Sequence, residues 1–350
     1  MNCSIFKADL RENENDIKIF WRNNFPNWPQ DKYSWFYLGN PHGQAQCWIA
    51  KAVDEDKVIG TFAIFPKRMY INGRCCLTAI FGDLGVDPKY RMHGVAKLLQ
   101  RETNDYLRDS ELEFLYGTPN DISEKVAKSA GVQVIGKAVR MVKVLRTEKY
   151  ISRFLKIRFL SRIISKPVDM VLGRLIPEYK FGNLGDFGYE ILADFDNRFD
   201  VLWNKANADY PLMGEKTSAY MHWRFTECPF KEFKIFALTG KADSSILGYI
   251  VYRFEDQSNI LISDFFMENP DDTLRALLAK FCLYLRTTGI HTVSLFYFGN
   301  DAIVDKFREA GFSLRPDNRS IVTRPDEQFS NSKCILEKNN WHFLEGDNDT

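Results

Sequence analysis

The sequence lacks the marks of several protein classes. Among 350 residues no apolar run approaches the roughly 18 residues that span a bilayer, and the first residues show no secretory signal pattern. Seven cysteines are scattered without a Cys-x-x-Cys pair, and five histidines have no metal-ligand spacing. We therefore expect neither a metal site nor a disulfide framework. A reducing cytoplasm is the simplest location for such a chain.

An excess of charge of one sign is also missing. Lys and Arg number 47 against 46 Asp and Glu, which leaves a net charge of +1. Nucleic-acid-binding proteins usually carry a clear basic excess, so no nucleic-acid partner is expected. What the chain does have is material for a full core, because 45% of its residues are apolar and 28 are Phe. The length favours two domains.

An internal repeat supports this division. Five anchors recur in the same order in both halves of the chain, first at an offset of 188 residues and later at 181 or 180. The pairs are Trp35 and Trp223, Gly60 and Gly248, Asp83 and Asp264, Asn120 and Asn300, and Gly131 and Gly311. The offset between the copies decreases because the first copy has a longer hairpin, with Asn72-Gly73 as its turn signal.

Each copy has the same predicted order of elements. A helix precedes an antiparallel meander of three strands, and a helix, a strand, a short helix and a last strand follow. In the first copy the helices are predicted at 15–24, 95–108 and 122–129, and the strands at 47–53, 57–66, 77–86 and 113–117. In the second copy the helices are predicted at 196–208, 271–288 and 302–310, and the strands at 233–238, 246–254, 260–266 and 292–298. This order predicts a mixed α/β fold in both copies.

Composition shifts along the chain predict its domain boundaries. We place a first domain at 1–145, a basic helical linker at 146–180, a second domain at 181–328 and a tail at 329–350. The linker is either a connecting helix with a solvated basic face or, through 146–166, a helix that lies on a membrane surface. The tail is polar, but Trp341-His342-Phe343 indicates one docked segment.

A candidate phosphate site follows the third predicted strand. Asp87-Pro88 is a turn signal, and Gly94 and Ala96 keep the turn small before an amphipathic helix. A helix N-terminus offers unpaired N–H groups and a partial positive charge, to which Arg91 and Lys97 add cationic side chains. The pattern favours a phosphate ligand over an ordinary strand–helix turn.

The string Arg91-x-x-Gly94-x-Ala96 after an apolar strand resembles the acetyl-CoA pyrophosphate loop of GNAT-type N-acetyltransferases, and the resemblance spans about Trp35 to Arg140. It implies acetyl-CoA as co-substrate and direct attack of an amine on the thioester, with Gly85 letting the backbone approach that thioester. The implied cofactor contacts are Leu84, Gly85, Val86, Arg91, Met92, His93, Gly94, Val95, Ala96, Lys97 and Asn120.

The doubled arrangement resembles tandem GNAT-like proteins, among them those of bacterial cell-surface polysaccharide gene clusters. That resemblance implies a small amine acceptor, such as an amino sugar, free or linked to a nucleotide or lipid. The second copy lacks the loop, because Glu268, Asp271 and Asp272 stand where phosphates would bind and a negative helix start repels them. We expect one cofactor site, in the first copy, and an acceptor cleft between the halves.

Three residues are candidates for the chemistry: Asp83, Asn120 and Tyr116. Asp83 is a carboxylate inside an apolar strand and is either a general base or a buried structural residue. Its counterpart Asp264, in the copy without a loop, favours a structural share. Asn120 either contacts the cofactor or caps a helix.

The general acid is harder to place. GNAT-type enzymes often use a Tyr four residues before the glycine of the last helix, here Gly131, but this sequence has Ala127 at that position. This departure leaves Tyr116, Tyr90 and Ser123 as candidate replacements, with water as a fourth.

Three further residues have open interpretations. Trp35 and Trp223 are interpreted as packing anchors rather than acceptor platforms. Arg224 either binds an anionic acceptor or forms a surface salt bridge.

Two rival functions also remain. One is a Fem-type transferase that uses aminoacyl-tRNA, against which the near-neutral charge and the intact loop both count, and the other is a non-catalytic module, which the missing Tyr favours.

Overall fold

The computed structural model describes residues 3–146, 178, 186–326 and 328–349. The predicted basic helix therefore lies outside the described residues, apart from its first residue and Glu178. Within the described ranges, one continuous sheet of 14 strands forms the framework of both halves. No helix in these ranges is both long enough and apolar enough to span a membrane.

The first half follows the predicted order closely. Its strands are β1 (Cys3–Lys7), β2 (Gln46–Ala52), β3 (Lys57–Ile71), β4 (Arg74–Val86), β5 (Phe114–Gly117) and β6 (Gln133–Val144). Its helices are α1 (Glu14–Asn24), α2 (Val95–Arg108) and α3 (Asp121–Ser129), with a π-helical turn at Tyr33–Leu38. Helix α2 forms because apolar residues at helical spacing, Val95, Leu99 and Leu107, are buried against the sheet. Each contributes about 1.5–3 kcal/mol by leaving water.

The second half repeats this plan. Its strands are β7 (Phe187–Leu192), β8 (Leu212–Gly214), β9 (Lys234–Gly240), β10 (Ile246–Phe254), β11 (Asn259–Met267), β12 (Thr292–Gly299), β13 (Ser313–Pro325) and β14 (Trp341–Phe343). Its helices are α4 (Asn197–Ala206), α5 (Ser218–Met221), α6 (Pro270–Thr287), α7 (Asp301–Glu309) and α8 (Ser332–Leu336), with a π-helical turn at His222–Thr226. The two meanders are antiparallel, and β4–β5 and β11–β12 are parallel pairs bridged by α2 and α6.

Sequence patterning missed the shortest and the outermost strands. Strands β8 and β14 have three residues each, which is too few for an alternating pattern to be visible. Strands β1 and β7 are edge strands, and both of them are only partly buried. The docked segment expected in the tail is present as β14, which pairs with both β8 and β12.

The long hairpin of the first half reaches into the second. Asn72 and Gly73 have φ angles of 49° and 78°, the left-handed conformations that a two-residue hairpin turn requires. Beyond the predicted strand end, β3 continues to Ile71, and residues Met69–Ile71 pair with β8. The extra length that broke the repeat offset therefore contributes contacts between the halves.

The last strands of the two halves are exchanged. Strand β6 pairs with β12 of the second half, while β13 pairs with β5 of the first, and the two exchanged strands pair with each other. The predicted boundary at residue 145 assigned β6 to the first domain, and the structure corrects that assignment. Local patterning identifies a strand but carries no information about which of two equivalent sheet edges it will join.

One pair of repeat anchors, Trp35 and Trp223, meets in the core. The rings of Trp35 and Trp223 stack with centroids 5.1 Å apart, and the Trp35 indole N–H donates to the Trp223 carbonyl at 3.0 Å. Both side chains are buried. Their interpretation as packing anchors agrees with this geometry, in which equivalent residues from the two copies hold the halves together.

Candidate functional site

Strands β4 and β5 separate and open a gap in the first half. Their parallel pairing is confined to Ala79–Leu115 and Ile80–Tyr116. Further along β4, Asp83 has a φ of 50°, and the register with β3 shifts between Thr61 and Ala63. A bulge of this kind bends its strand. The bend turns β4 away from β5 and exposes the inner edge of the strand.

A cavity of about 190 Å³ lies in this gap. Its lining residues are Phe62, Phe81, Gly82, Asp83, Leu84, Gln100, Thr118, Pro119, Asn120, Ser123, Ala127, Val322 and Asp349. Two of them, Val322 of the exchanged β13 and Asp349 of the tail, come from the second half. The cavity thus brings together three predicted site residues, Asp83, Leu84 and Asn120, with residues from both copies.

The loop between β4 and α2 has the geometry of an anion site. Met92 and Gly94 have φ angles of 66° and 81°, and no atom lies within 4 Å of the place where a Gly94 Cβ would be. The first hydrogen bond of the helix joins Leu98 N–H to Gly94 O at 3.0 Å, and no described side chain caps the helix. The N–H groups of residues 95–97 therefore face outward from an open loop, which fits the phosphates of a bound cofactor.

The other loop residues are arranged around this opening. Arg91 donates from Nε to the Val86 carbonyl at 3.2 Å, which ties the loop to the end of β4. The side chains of Met92, His93 and Lys97 are exposed, whereas Val95 is buried beneath them and Ala96 is half-buried. The buried Val95 anchors the helix start, and the exposed residues remain available to a ligand.

A basic groove of about 560 Å³ continues from the loop. It is lined by His93, Gly94, Lys97, Leu98, Arg101, Asn104, Asp105, Arg108, Ser129, Ala130 and Arg324. Four permanently cationic side chains there face a single carboxylate. Arg324 comes from the exchanged β13 and donates to the Gly131 carbonyl at 3.1 Å. Such a surface attracts polyanions, and its position extends the loop's phosphate site.

Asp83 is held by three donors at the cavity wall. Lys32 Nζ lies 2.8 Å from one carboxylate oxygen, and the other oxygen accepts from the Tyr37 hydroxyl at 2.8 Å and the Trp28 indole N–H at 3.1 Å. Lys32 is 1% exposed, so this is a buried ion pair. Both oxygens of Asp83 are engaged within the protein, and its role as a general base stays a prediction.

Asn120 caps a helix, as one of its two predicted roles requires, and its contact with a cofactor stays a prediction. Its side-chain oxygen accepts from the backbone N–H groups of Ile122 and Ser123 at 3.1 and 2.9 Å, so it caps helix α3. It also lines the cavity, beside Ser123. Ala127 also lines the cavity, so the position at which GNAT-type enzymes often carry a tyrosine faces this space. Ser123 is the candidate for a proton-donating hydroxyl on that wall.

Tyr116 does not face the cavity, which corrects its predicted place in the chemistry. Its side chain is fully buried between Trp341 and Phe343, and its hydroxyl donates to the Asp347 carbonyl at 3.3 Å. Burial raises the pKa of Tyr116 well above its usual value. The residue fixes the tail instead. Tyr90 is engaged elsewhere, at 2.8 Å from Glu55.

Gly82 and Gly85 each leave room for a neighbouring side chain. A Cβ on Gly85 would lie 2.8 Å from Phe25 and 3.1 Å from both Phe20 and Trp21, so that side of the backbone is covered by aromatic rings. Approach of a thioester to the rest of the Gly85 backbone stays a prediction. A Cβ on Gly82 would lie 2.5 Å from the Asp349 carboxylate, which lies at the cavity.

Arg224 is buried rather than at the surface. It is 3% exposed and donates to the carbonyls of Gly346 and Asn348, both at 2.9 Å. It also lies over the Trp35 ring at 5.3 Å. These contacts fix the path of the tail, and binding of an anionic acceptor by Arg224 stays a prediction.

Sequence analysis overlooked Asp349. Its carboxylate lies 3.6 Å from Lys32 Nζ, and its side chain is 17% exposed at the cavity wall. Burial raises the pKa of Asp349, and the charge of Asp83 adds to the rise against the opposing effect of Lys32. A run of acids in a polar tail gives no signal for such a position, because it depends on residues more than 200 positions away.

The tail fills the equivalent gap of the second half. There the parallel pairing of β11 with β12 runs from Asn259–Thr292 to Ile262–Leu295 and then ends, and further along β12 pairs with β14. A Cβ on Gly346 would lie 3.1 Å from the Asp264 carboxylate, so the backbone of the tail occupies the position that remains open beside Asp83.

The start of α6 is equally unsuited to phosphate. Pro270 occupies its first turn with Asp271 and Asp272, and Lys306 pairs with Asp271. Asp264 itself is bound by Lys216 Nζ at 2.6 and 2.8 Å, and burial raises its pKa to about 6 despite that lysine. These features support the expectation of one cofactor site, in the first half.

Comparisons with known proteins agree with this geometry. Residues 10–135, about a third of the chain, match the family model described as an acetyltransferase (GNAT) domain. Comparison with curated proteins gives no significant match.

Solved structures match nearly the whole chain. A protein of unknown function from Enterococcus faecalis, described as a probable N-acyltransferase, is 13% identical with a TM-score of 0.66 over 94% of this chain and 74% of its own. A tandem GNAT protein of the clavulanic acid biosynthesis pathway is 12% identical with a TM-score of 0.56 over 93% and 98%. N-myristoyltransferase from Saccharomyces cerevisiae, solved with myristoyl-CoA, is 10% identical with a TM-score of 0.55 over 92% and 79%. At such identities these likenesses show the fold alone. The chain has the GNAT fold in two tandem copies.

Proposed function

We propose that the protein is an acyl-CoA-dependent N-acyltransferase that transfers an acetyl group to a small primary amine. The observation that carries this proposal is the open loop at Gly94, which joins the basic groove on one side and leads along β4 to the cavity on the other. The loop, the groove and the cavity together form a path that offers a phosphate site, a cationic surface for a nucleotide and a gap in the sheet for a thioester arm, which supports this proposal.

Each part of the path has a role in this function. The N–H groups of residues 95–97 bind the pyrophosphate, with Arg91 and Lys97 nearby. The cations of the groove hold the phosphorylated nucleotide end. Residues 84–86 lie at the end of the bent β4, where backbone N–H groups can stabilise the oxyanion that develops on the thioester carbonyl. When bound, the acyl-CoA supplies the activated acyl group.

The acceptor would enter the cavity from the side formed by both halves. Val322 and Asp349 of the second half complete the wall that Asp83, Asn120 and Ser123 begin. We place an amino sugar of cell-surface polysaccharide synthesis, free or carried on a nucleotide or lipid, first among the amines. A membrane-linked acceptor fits the proposed contact of residues 146–166 with a lipid surface, which flotation with anionic vesicles tests.

A second candidate is a non-catalytic module that binds acyl-CoA. The observation that favours it is Ala127, which stands at the cavity where the resembled enzymes carry a tyrosine. The two functions share a cofactor site and differ only in turnover.

Isothermal titration with acetyl-CoA tests the shared site first. One-site binding at micromolar affinity that is lost with a non-nucleotide thioester supports this site. No binding to folded protein would refute both functions. Release of free thiol from acetyl-CoA is then followed in the presence of amino sugars, polyamines and lysine. Turnover with any of these amines supports the transferase, and binding without turnover supports the non-catalytic module.

A further inference from the structure

The tail reaches the cavity by a path that both halves fix. Arg224 binds two of its carbonyls, and Tyr116 donates to a third. At the cavity, the Thr118 hydroxyl donates to the side-chain oxygen of Asn348 at 2.6 Å. Four hydrogen bonds from side chains on different elements thus determine where the next residue, Asp349, lies.

Asp349 has room at the cavity only because residue 82 is glycine. Its Oδ2 atom lies 2.5 Å from the position that a Gly82 Cβ would take, which is closer than real Cβ atoms are found. The carboxylate therefore lies against the backbone of the bent β4, one residue from the bulge at Asp83. This is the stretch of β4 beside which the sheet opens.

The two carboxylates share one lysine unequally. Lys32 is 2.8 Å from Asp83 but 3.6 Å from Asp349, and Asp83 also accepts two neutral hydrogen bonds. Arg224 also acts on the Asp349 carboxylate through its charge. Both carboxylates line the cavity, whereas Lys32 and Arg224 lie behind its lining residues. Carboxylates at a cavity wall attract an ammonium group, and the less engaged of the two is Asp349.

We infer that the Asp349 carboxylate is the general base that takes the proton of the acceptor's ammonium group in the cavity. This inference rests on the proposed function. Asp83, with both oxygens engaged, then positions Lys32 and the aromatic donors around the site rather than accepting the proton. Burial shifts the pKa of Asp349 upward, in the direction that suits a base working near neutral pH.

The proton and electron changes balance without any further reactant. Asp349 accepts one proton from the ammonium, which frees the nitrogen lone pair to form the C–N bond with the thioester carbonyl carbon. The C–S bond breaks, and its electron pair leaves on sulfur as the thiolate. The second proton from nitrogen goes to the thiolate, and Asp349 returns its proton to solvent. The products are an amide and free thiol.

The test compares Asp349→Asn with Glu345→Gln. The first change is isosteric and removes the base. The second removes one negative charge from the same tail, but Glu345 contacts Ser263 and Arg253 of the second half. We expect Asp349→Asn to lower kcat for an ammonium acceptor at least about 100-fold at pH 7. Glu345→Gln should stay within about threefold, and both variants should bind acetyl-CoA as the wild type does.

Two further readouts separate a base from a structural residue. The turnover of the wild type should rise with pH on the acid side of its pH profile, and Asp349→Asn should lack this rise. A hydrazide acceptor, which carries no ammonium proton at pH 7, should lose much less turnover in Asp349→Asn than an alkylamine does. Rescue of part of the activity by Asp349→Glu would support the same conclusion.

Four results would overturn the inference while the transferase function stands. They are full turnover in Asp349→Asn, increased turnover in it, loss of acetyl-CoA binding together with turnover, and an equal loss with the hydrazide. If the wild-type protein itself acetylates none of the amines, the proposed function fails, and the base assignment falls with it.

Discussion

Replacing Gly94 by Glu gives the sharpest test of the phosphate loop. The residue has a φ of +81°, and nothing lies within 4 Å of a Cβ placed there. A side chain therefore meets no neighbour, and the only cost to the fold is the left-handed backbone, about 1–2 kcal/mol for a residue other than glycine. The protein should remain folded, with a correspondingly lower free energy of unfolding.

The effect on binding has a different origin. A carboxylate about 5 Å from a phosphate charge repels it by about 3 kcal/mol at an effective dielectric constant of about 20, and solvent screening at this exposed loop reduces the value. We expect Gly94→Glu to weaken acetyl-CoA binding by about 1–3 kcal/mol, or roughly 5- to 150-fold. Isothermal titration measures the dissociation constant, and urea unfolding checks the fold.

Gly94→Ala is the matched control. It carries the same backbone strain and no charge, so it should bind acetyl-CoA within a few-fold of the wild type. Unchanged affinity in Gly94→Glu would refute the phosphate assignment. Equal losses in both variants would show that the conformation of the loop, rather than charge at the site, governs binding.

Three other predictions follow from the fold. Tyr116→Phe should retain turnover within a few-fold and lose about 1 kcal/mol of stability, since the hydroxyl donates to the Asp347 carbonyl rather than to substrate; a large loss of kcat at unchanged acetyl-CoA affinity would contradict this. Burial lowers the pKa of His342 to about 3, so the native state binds fewer protons than the unfolded chain between about pH 3 and 6.5 and loses stability as pH falls through that range. In urea titrations the free energy of unfolding of His342→Gln should fall by up to about 1.4 kcal/mol less per pH unit in this range than that of the wild type. Equal slopes of this free energy against pH in the two proteins would exclude the effect. Fragments 1–146 and 147–350, co-expressed, should purify as one complex because β6 pairs with β12 of the second half and β13 pairs with β5 of the first; two independent monomers would argue against strand exchange.

Much of the first-half site could be predicted because its signals are local. The turn at Asp87-Pro88, the small Gly94 and the helical spacing of Val95, Leu99 and Leu107 lie within about twenty residues. Each of these features acts through its own backbone conformation or through neighbours one or two helical turns away. The loop and helix α2 were accordingly found where they were expected.

The predictions that failed concern side-chain direction and distant partners. Tyr116 lies in a buried strand, whose successive side chains point to opposite faces of the sheet. Sequence patterning does not say which face a given residue of such a strand takes, so it cannot tell whether the Tyr116 hydroxyl faces the cavity or the tail. Gly85 was expected to allow approach of a thioester, but the rings of Phe20, Trp21 and Phe25 cover one side of its backbone. Arg224 was interpreted as either binding an anionic acceptor or forming a surface salt bridge, but it is buried and donates to backbone carbonyls 122 and 124 residues away.

The sequence by itself determined the repeat, the order of helices and strands, and the presence in only one copy of a glycine-containing loop suited to phosphate. These depend on periodicity, turn residues and charge at a helix start, which act over a few residues. Only the tertiary structure decided that the last strands exchange and that the tail fills one gap and supplies Asp349 to the other. The two copies present nearly equivalent sheet edges and gaps, so the choice between them depends on packing between residues about 80 to 270 positions apart.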